Sequence, residues 1–293
     1  MASKIVAILP TRNSAWVLGL SVRALLMWVD EVVVLDHCPT DASDHICAAL
    51  QVEYRGRFEA LSDEDPTWHE MAQRQRLLET ARQRGATHIV TIDDDELVSG
   101  NLLPTIRQTV LDMPPGRILT LPWLQLSGGI DQVITTGMWG QQNASCAFVD
   151  DPAWHWKVQA GGYDHHHRHP MGKPYQQYPA QIGMPGYSRT SGCLHLQMSS
   201  VKRLLWKHLH YKLTERLRWP EKGVAAVNAM YDRTVNECAT GQDMPCPSEW
   251  WAPYSHLMRH LDIEAEPWQK AEALRMLAEN PRLADGLTTY GLL

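Results

Sequence analysis

The run Asp93-Asp94-Asp95-Glu96 places four acidic side chains directly after the apolar stretch Ile89-Val90-Thr91-Ile92. Ile89, Val90 and Ile92 require a buried strand. Four adjacent carboxylates cannot be buried without partners. The strand must therefore carry them to an open edge where a cation can meet them. Carboxylate oxygens are hard ligands that suit Mg2+ or Mn2+, and a divalent ion held there can hold a phosphorylated substrate. The plain structural alternative is an acidic turn between a strand and the helix after Gly100.

Two more polar turns follow apolar strands. Ile5 to Leu9 runs into Pro10-Thr11-Arg12-Asn13, and Glu31 to Leu35 runs into Asp36-His37-Cys38-Pro39-Thr40-Asp41. Between the strands, apolar spacing predicts helices over Ala15 to Trp28, from Asp41 to Leu50, over Pro66 to Arg84 and over Leu102 to Leu111. Val52 to Arg55 reads as a third strand. Strands alternating with helices across short turns form a mostly parallel sheet flanked by helices, an α/β fold. Ligands in such sheets sit at the carboxyl ends of the strands. The turns at Thr11-Arg12, Asp36 and Asp93-Asp95 all fall at that end.

After Pro114-Pro115-Gly116 the periodicity weakens. Arg117 to Trp123 is one more strand, and residues 124–192 read as twisted strands and long loops that shape an acceptor pocket. Helix returns near Leu196. The chain then reads as a domain over 1–196 and a helical C-terminal extension over 197–293. The segment 202–222 carries seven Lys and Arg against two Glu. It could steady a diphosphate or simply face solvent.

Composition excludes little. The hydrophobic fraction is 44% and the charged fraction 20%, as in soluble globular domains. No apolar run approaches the ~20 residues of a membrane span, and the early strand does not look like an export signal. These readings predict a cytoplasmic protein whose six cysteines, none in a CxxC pair, stay reduced. A net charge of -6 argues against wholesale nucleic-acid binding.

In order and spacing, Pro10-Thr11-Arg12-Asn13, Asp36 to Asp41 and Ile92-Asp93-Asp94-Asp95-Glu96 resemble the family-2-like glycosyltransferases of the GT-A (Rossmann-like) fold. The resemblance covers about residues 4–112. It implies transfer of a sugar from a nucleotide-diphosphate sugar, a UDP-sugar first, to an acceptor hydroxyl with the help of Mn2+ or Mg2+. The acceptor would be a glycan, lipid or protein. A hydroxymethylated base in DNA is the alternative substrate, and a non-catalytic nucleotide-sugar-binding protein the alternative class.

Residue by residue, the resemblance puts Thr11, Arg12 and Asp36 in the nucleotide pocket. Asp93 would face ribose or metal and Asp95 would bind the metal. Asp94 counts with the cofactor-binding residues, although on an extended chain neighbours face opposite sides and it would point away from the Asp93–Asp95 pair; Glu96 could support that pair from behind. Arg74 falls where relatives carry a nucleotide-facing arginine, with a solvated helix face as its alternative. His195, in Gly192-Cys193-Leu194-His195, resembles a further metal ligand; a histidine between two leucines can equally be a satisfied core residue.

If configuration inverts, a carboxylate must take the acceptor's proton. Asp150 and Asp151, then Asp164, are the candidates, although Asp-Asp-Pro is also an ordinary turn. The run His165 to His169 could be a second metal site or a polar acceptor-side loop, with Arg168 meeting phosphate or carboxylate. Trp123, Trp139, Trp154 and Trp156 could supply a stacking floor.

Overall fold

Strand β1 (Ile5–Thr11) is the axis of the fold because every residue in it is buried. Its side chains alternate between two faces. Ile5, Ala7 and Leu9 pack with Leu18, Val22 and Leu25 of helix α1 (Leu18–Leu26). Val6 and Ile8 pack on the other face with Leu77, Leu78 and Ala81 of a later helix, α3. β2 (Glu31–His37) repeats the pattern, with Val32 and Val34 in the first cluster and Val33 and Leu35 in the second. Each such side chain contributes about 1.5–3 kcal/mol on burial. A strand covered on both faces reads as the continuous apolar run that the sequence shows.

The computed structural model describes residues 3–156, 168–170, 190–241 and 243–293. After β2 come α2 (Ser43–Glu53), β3 (Phe58–Asp63), α3 (Glu70–Gln83) and β4 (His88–Val90). The strands β1 to β4 pair in parallel. Then follow β5 (Glu96–Val98), α4 (Leu103–Leu111), β6 (Ile118–Gln125), β7 (Gln132–Ile134), β8 (Asn143–Val149) and β9 (Cys193–His195). β8 pairs antiparallel with both β4 and β6. The sheet order is β3-β2-β1-β4-β8-β6-β9-β5. The last elements are α5 (Val201–Arg218), α6 (Val224–Thr240), β10 (Asp243–Pro245) and α7 (Trp268–Glu279). β10 pairs with β7 in a separate ribbon.

Two expectations change. Val52 to Arg55 is not a strand: α2 runs to Glu53, the chain turns through Gly56 at φ 82°, and the strand starts at Phe58. The acidic run is not the end of one strand before a helix. β4 stops at Val90, and Asp93 to Asp95 form the connection into β5.

The chain divides into two compact units. One comprises 1–123, 143–194 and 247–262; the other comprises 124–142, 195–246 and 263–293. One boundary falls between 194 and 195. Residues 124–142, however, belong to the second unit, where β7 pairs with β10. Residues 247–262 return to the first. There the Tyr254 hydroxyl donates to Val98 O at 2.8 Å, and Trp250 Nε1 donates to Thr190 O at 2.8 Å. Gly100 lies so close to Pro253 that a Cβ on it would fall 2.6 Å from the ring.

The second unit is built on α5. Its Trp206, Leu209 and Leu213 pack with Val227 of α6 and with Ala273 and Met276 of α7. The basic character of this segment is largely used internally. Lys202 pairs with Glu266, Lys222 with Glu215 at 2.6 Å, and the buried Lys212 with Asp232 at 2.5 Å. All six cysteines are free thiols. Among the described residues no helix is long and apolar enough to cross a membrane.

Candidate functional site

Parallel register brings Thr11 at the end of β1 beside Asp36 at the end of β2. The loops that leave these strands are tied together. Asn13, at φ 52°, accepts the Thr40 N–H on its Oδ1 at 2.6 Å, and Asp41 accepts the Ala15 N–H at 2.9 Å. Asp36 is buried, and its Oδ1 has no hydrogen-bond partner among the described residues. Burial, with the negative charges of Asp41 and Asp44 nearby, pushes its carboxyl up to about 6. An ionised oxygen in that position wants a donor.

The acidic turn closes on itself. The Asp93 N–H donates to Glu96 Oε2 at 2.9 Å, and the Glu96 N–H donates to Asp93 O at 3.1 Å. Asp94 does not point away. Its Oδ2 accepts the hydroxyls of both Thr11 and Ser14, and its backbone oxygen accepts that of Ser21. The alternation rule applies to extended chain, and this segment is a turn. Burial and the adjacent charge of Asp95 push the Asp94 carboxyl up to about 7.

Asp93 is held from both sides. Its Oδ1 accepts from Arg74 Nη2 at 2.8 Å and its Oδ2 from Arg168 Nη2 at 2.6 Å. Burial works against its charge, yet the two guanidinium groups outweigh burial and hold the carboxyl below the usual range. Arg168 Nη1 also donates to both oxygens of Glu96 at 2.7 Å, and its guanidinium lies 4.6 Å above the Trp123 ring. Trp123 Nε1 donates to Glu96 Oε1 at 2.6 Å. Arg74 is buried. Its Nε donates to Glu70 at 2.8 Å, and its Nη1 has no partner among the described residues.

Thr11, Asp36, Arg74, Asp93 and Asp94 thus come together at the carboxyl ends of β1, β2 and β4, with Asp95 on the same turn. Arg12 follows Thr11, and its charge reaches His37, whose imidazole is held mainly by burial below its ordinary proton affinity. Arg74 takes its site-facing alternative rather than the solvated one. Arg76 does the opposite and caps Ser62 O from the surface. Of the tryptophans, Trp123 joins the site, while Trp154 and Trp156 pack on Phe148.

Of the candidate bases, Asp150 and Asp151 do not join it. β8 runs antiparallel to β4, so Val149 lies opposite His88 and the Asp150 N–H bonds to Thr87 O. Asp150 and Asp151 therefore sit at the amino end of β4, away from the acidic turn. Asp150 takes a two-pronged contact from Arg82 at 2.9 Å, and Asp151 caps the Ala153 N–H in an ordinary turn. Asp164, His165 and His167 lie outside the described residues; His169 is buried with Nδ1 3.1 Å from Ser145 Oγ. His195 belongs to the second unit, where its buried ring bonds Gln125 at 2.7 Å.

The divalent ion implied by the resemblance does not fit these side chains as arranged. Both oxygens of Asp93 and both of Glu96 are taken by guanidinium hydrogen bonds. Among the described residues, no three His, Cys, Asp or Glu side chains gather as a cation cage. The sequence reading missed Ser14, Ser21 and Glu70 as parts of the site. Only Glu70 carried a signal, its i,i+4 spacing to Arg74.

No family model and no curated protein matches the chain in sequence. Solved structures do match. S. aureus TarS 1-349 overlaps 97% of this chain and 83% of its own, at 12% identity and a TM-score of 0.42. S. aureus TarS 1-349 in complex with UDP overlaps 43% of this chain and 36% of its own, at 19% identity and 0.33. GalNAc-T7 with UDP, GalNAc and Mn2+ overlaps 43% and 24%, at 12% and 0.35. In the latter two matches the chain spans well under two thirds of the other structure's length. At such scores the overlaps put no weight on function, which the chain's own residues must carry.

Proposed function

We propose that this chain is a glycosyltransferase that takes a sugar from a nucleotide-diphosphate sugar, a UDP-sugar first, and passes it to the hydroxyl of a glycan, lipid or protein. One observation carries the reading. A buried acceptor, Asp36 Oδ1, and a buried donor, Arg74 Nη1, both without partners among the described residues, stand at the carboxyl ends of the parallel strands beside Thr11 and the acidic turn. Buried polar groups are nearly always satisfied, so a ligand is the natural partner for both. Ribose hydroxyls or a base N–H suit the carboxylate, and a phosphate or ribose oxygen suits the guanidinium.

In this reading Asp36 orients the nucleoside. Thr11 and Ser14 fix Asp94, and Arg74 and Arg168 supply positive charge near the diphosphate as it leaves. Stabilising charge where it develops is the larger part of such catalysis. No general base is assigned, since Asp150 and Asp151 lie at the other end of β4. Three of the seven basic side chains of 202–222 are paired within the second unit, which weakens the case for a DNA acceptor.

The test is a screen of nucleotide sugars for thermal stabilisation and for hydrolysis or transfer, run with Mn2+ and with EDTA. A ligand that binds only the folded state raises its melting temperature by mass action. Stabilisation by one nucleoside class with turnover supports the proposal. Stabilisation without turnover for any donor favours the non-catalytic binding protein, and no stabilisation at all defeats both.

A further inference from the structure

The acidic turn already has a cation, and the chain supplies it. Arg168 spans Asp93 Oδ2 at 2.6 Å and both oxygens of Glu96 at 2.7 Å, with its guanidinium carbon 4.6 Å from the centre of the Trp123 ring. Glu96 is fully buried, and a buried carboxylate group calls for a firmly held positive partner. Trp123 gives it one N–H, which orients the carboxylate but does not neutralise it. Arg74 meets Asp93 from the other side, so each oxygen of that carboxylate already accepts from a guanidinium. A divalent ion entering this cluster would have to displace a guanidinium held by three charge-assisted hydrogen bonds and also shed its own water.

We propose that Arg168 is the site's resident cation, standing where a divalent ion would otherwise be held, so that nucleotide-sugar binding and transfer need no Mg2+ or Mn2+. A guanidinium suits the role. Its planar fork matches two carboxylates at once, it stacks on an aromatic face, and it stays protonated at any working pH. Unlike a bound ion it cannot be chelated away. The statement about transfer rests on the glycosyltransferase reading. The statement about who neutralises the acidic turn does not.

Two measurements separate these statements. The first uses Mn2+ alone, followed by its electron paramagnetic resonance signal. The wild-type protein should leave the free-ion signal unchanged. Arg168→Ala, checked for folding by circular dichroism, should bind one Mn2+ at least about tenfold more tightly than wild type, because the buried Glu96 has lost its counter-ion and Asp93 one of its two. Arg168→Ala with Asp93→Asn should lose that site again. Wild-type protein that binds one Mn2+ in a manner abolished by Asp93→Asn overturns the proposal. So does a folded Arg168→Ala that binds none. If Arg168→Ala does not fold, the wild-type titration decides alone.

The second measurement uses UDP. Its thermal stabilisation of the wild-type protein, and turnover of any accepted donor, should be the same in EDTA as in Mn2+. A dependence of either on Mn2+ overturns the proposal. If neither UDP nor any other nucleotide stabilises the protein under either condition, the glycosyltransferase reading fails, and the Mn2+ titration still decides the role of Arg168.

Discussion

Arg74 reaches Asp93 and Glu70 at once, donating to each at 2.8 Å from a side chain that is almost wholly buried, while its third nitrogen has no partner among the described residues. The residue is both a structural clamp and an open donor. Arg74→Ala should lower unfolding stability by about 3–5 kcal/mol, because Glu70 loses its cation, Asp93 loses one of two, and a buried cavity is left. It should also abolish stabilisation by UDP. Arg74→Lys keeps the charge but not the fork, and should fall between the two. Urea denaturation and a UDP thermal-shift series measure both effects; an Arg74→Ala protein as stable as wild type would show that the clamp contributes nothing.

Asp36 should trade stability for binding. Its carboxyl stands at about 6 against an ordinary value of 3.8, raised chiefly by burial. A carboxyl raised in the folded state makes the fold less stable when ionised. That penalty is absent below about 4 and fully present above about 6. Asp36→Asn should therefore gain on the order of 2 kcal/mol at pH 7 and almost nothing at pH 4. Nucleotide affinity should fall in the same variant. Denaturant midpoints at the two pH values, set beside UDP titrations, check both halves.

Acid should weaken the second unit through His208. This ring is buried on α5, donates from Nδ1 to Tyr231 O at 2.9 Å, and is pushed down to about 4 by burial. The unfolded chain takes up the proton near 6.5; the folded chain does not. Stability is whole above pH 6.5 and declines as pH falls toward 4, by on the order of 3 kcal/mol in total. His208→Phe should flatten that slope, while losing about 1 kcal/mol at pH 7 with the hydrogen bond. Melting temperatures between pH 4 and 7.5 would reveal an unchanged slope if another group were responsible.

Asp150→Asn should act on folding and not on chemistry. Its carboxylate is held by two nitrogens of Arg82 at the amino end of β4. Losing the charge should lower stability by about 1–3 kcal/mol. Turnover per folded molecule should stay at the wild-type value. A large fall in kcat at an unchanged melting temperature would return Asp150 to the reaction.

The strands that carry Thr11 and Asp36 were legible because both their faces are covered, and continuous apolar runs admit few other readings. β3 was not. It is an edge strand whose sequence, Phe58-Glu-Ala-Leu-Ser-Asp63, has one buried anchor. The apolar Val52 that stood in for it is 82% exposed on a helix. The acidic residues announced themselves by type, whereas their partner did not. Arg168 lies 72 residues from Glu96, and no local pattern encodes a contact at that distance. Asp94 was misdirected for a related reason: the rule for extended chain was applied across a turn that Glu96 bends by capping the Asp93 N–H.

The return of residues 247–262 to the first unit has a bearing on how the protein is made. β5, which receives the chain directly from the acidic turn, is fixed from beneath by Tyr254, 156 residues further along. Contacts of such long range form late, since the intervening loop must close first. During synthesis the strands that present Thr11 and Asp36 leave the ribosome well before the segment that anchors Val98. A nascent chain stalled short of residue 254 therefore lacks the hydrogen bond that fixes Val98, even though every side chain that holds the acidic turn's carboxylates has already been made.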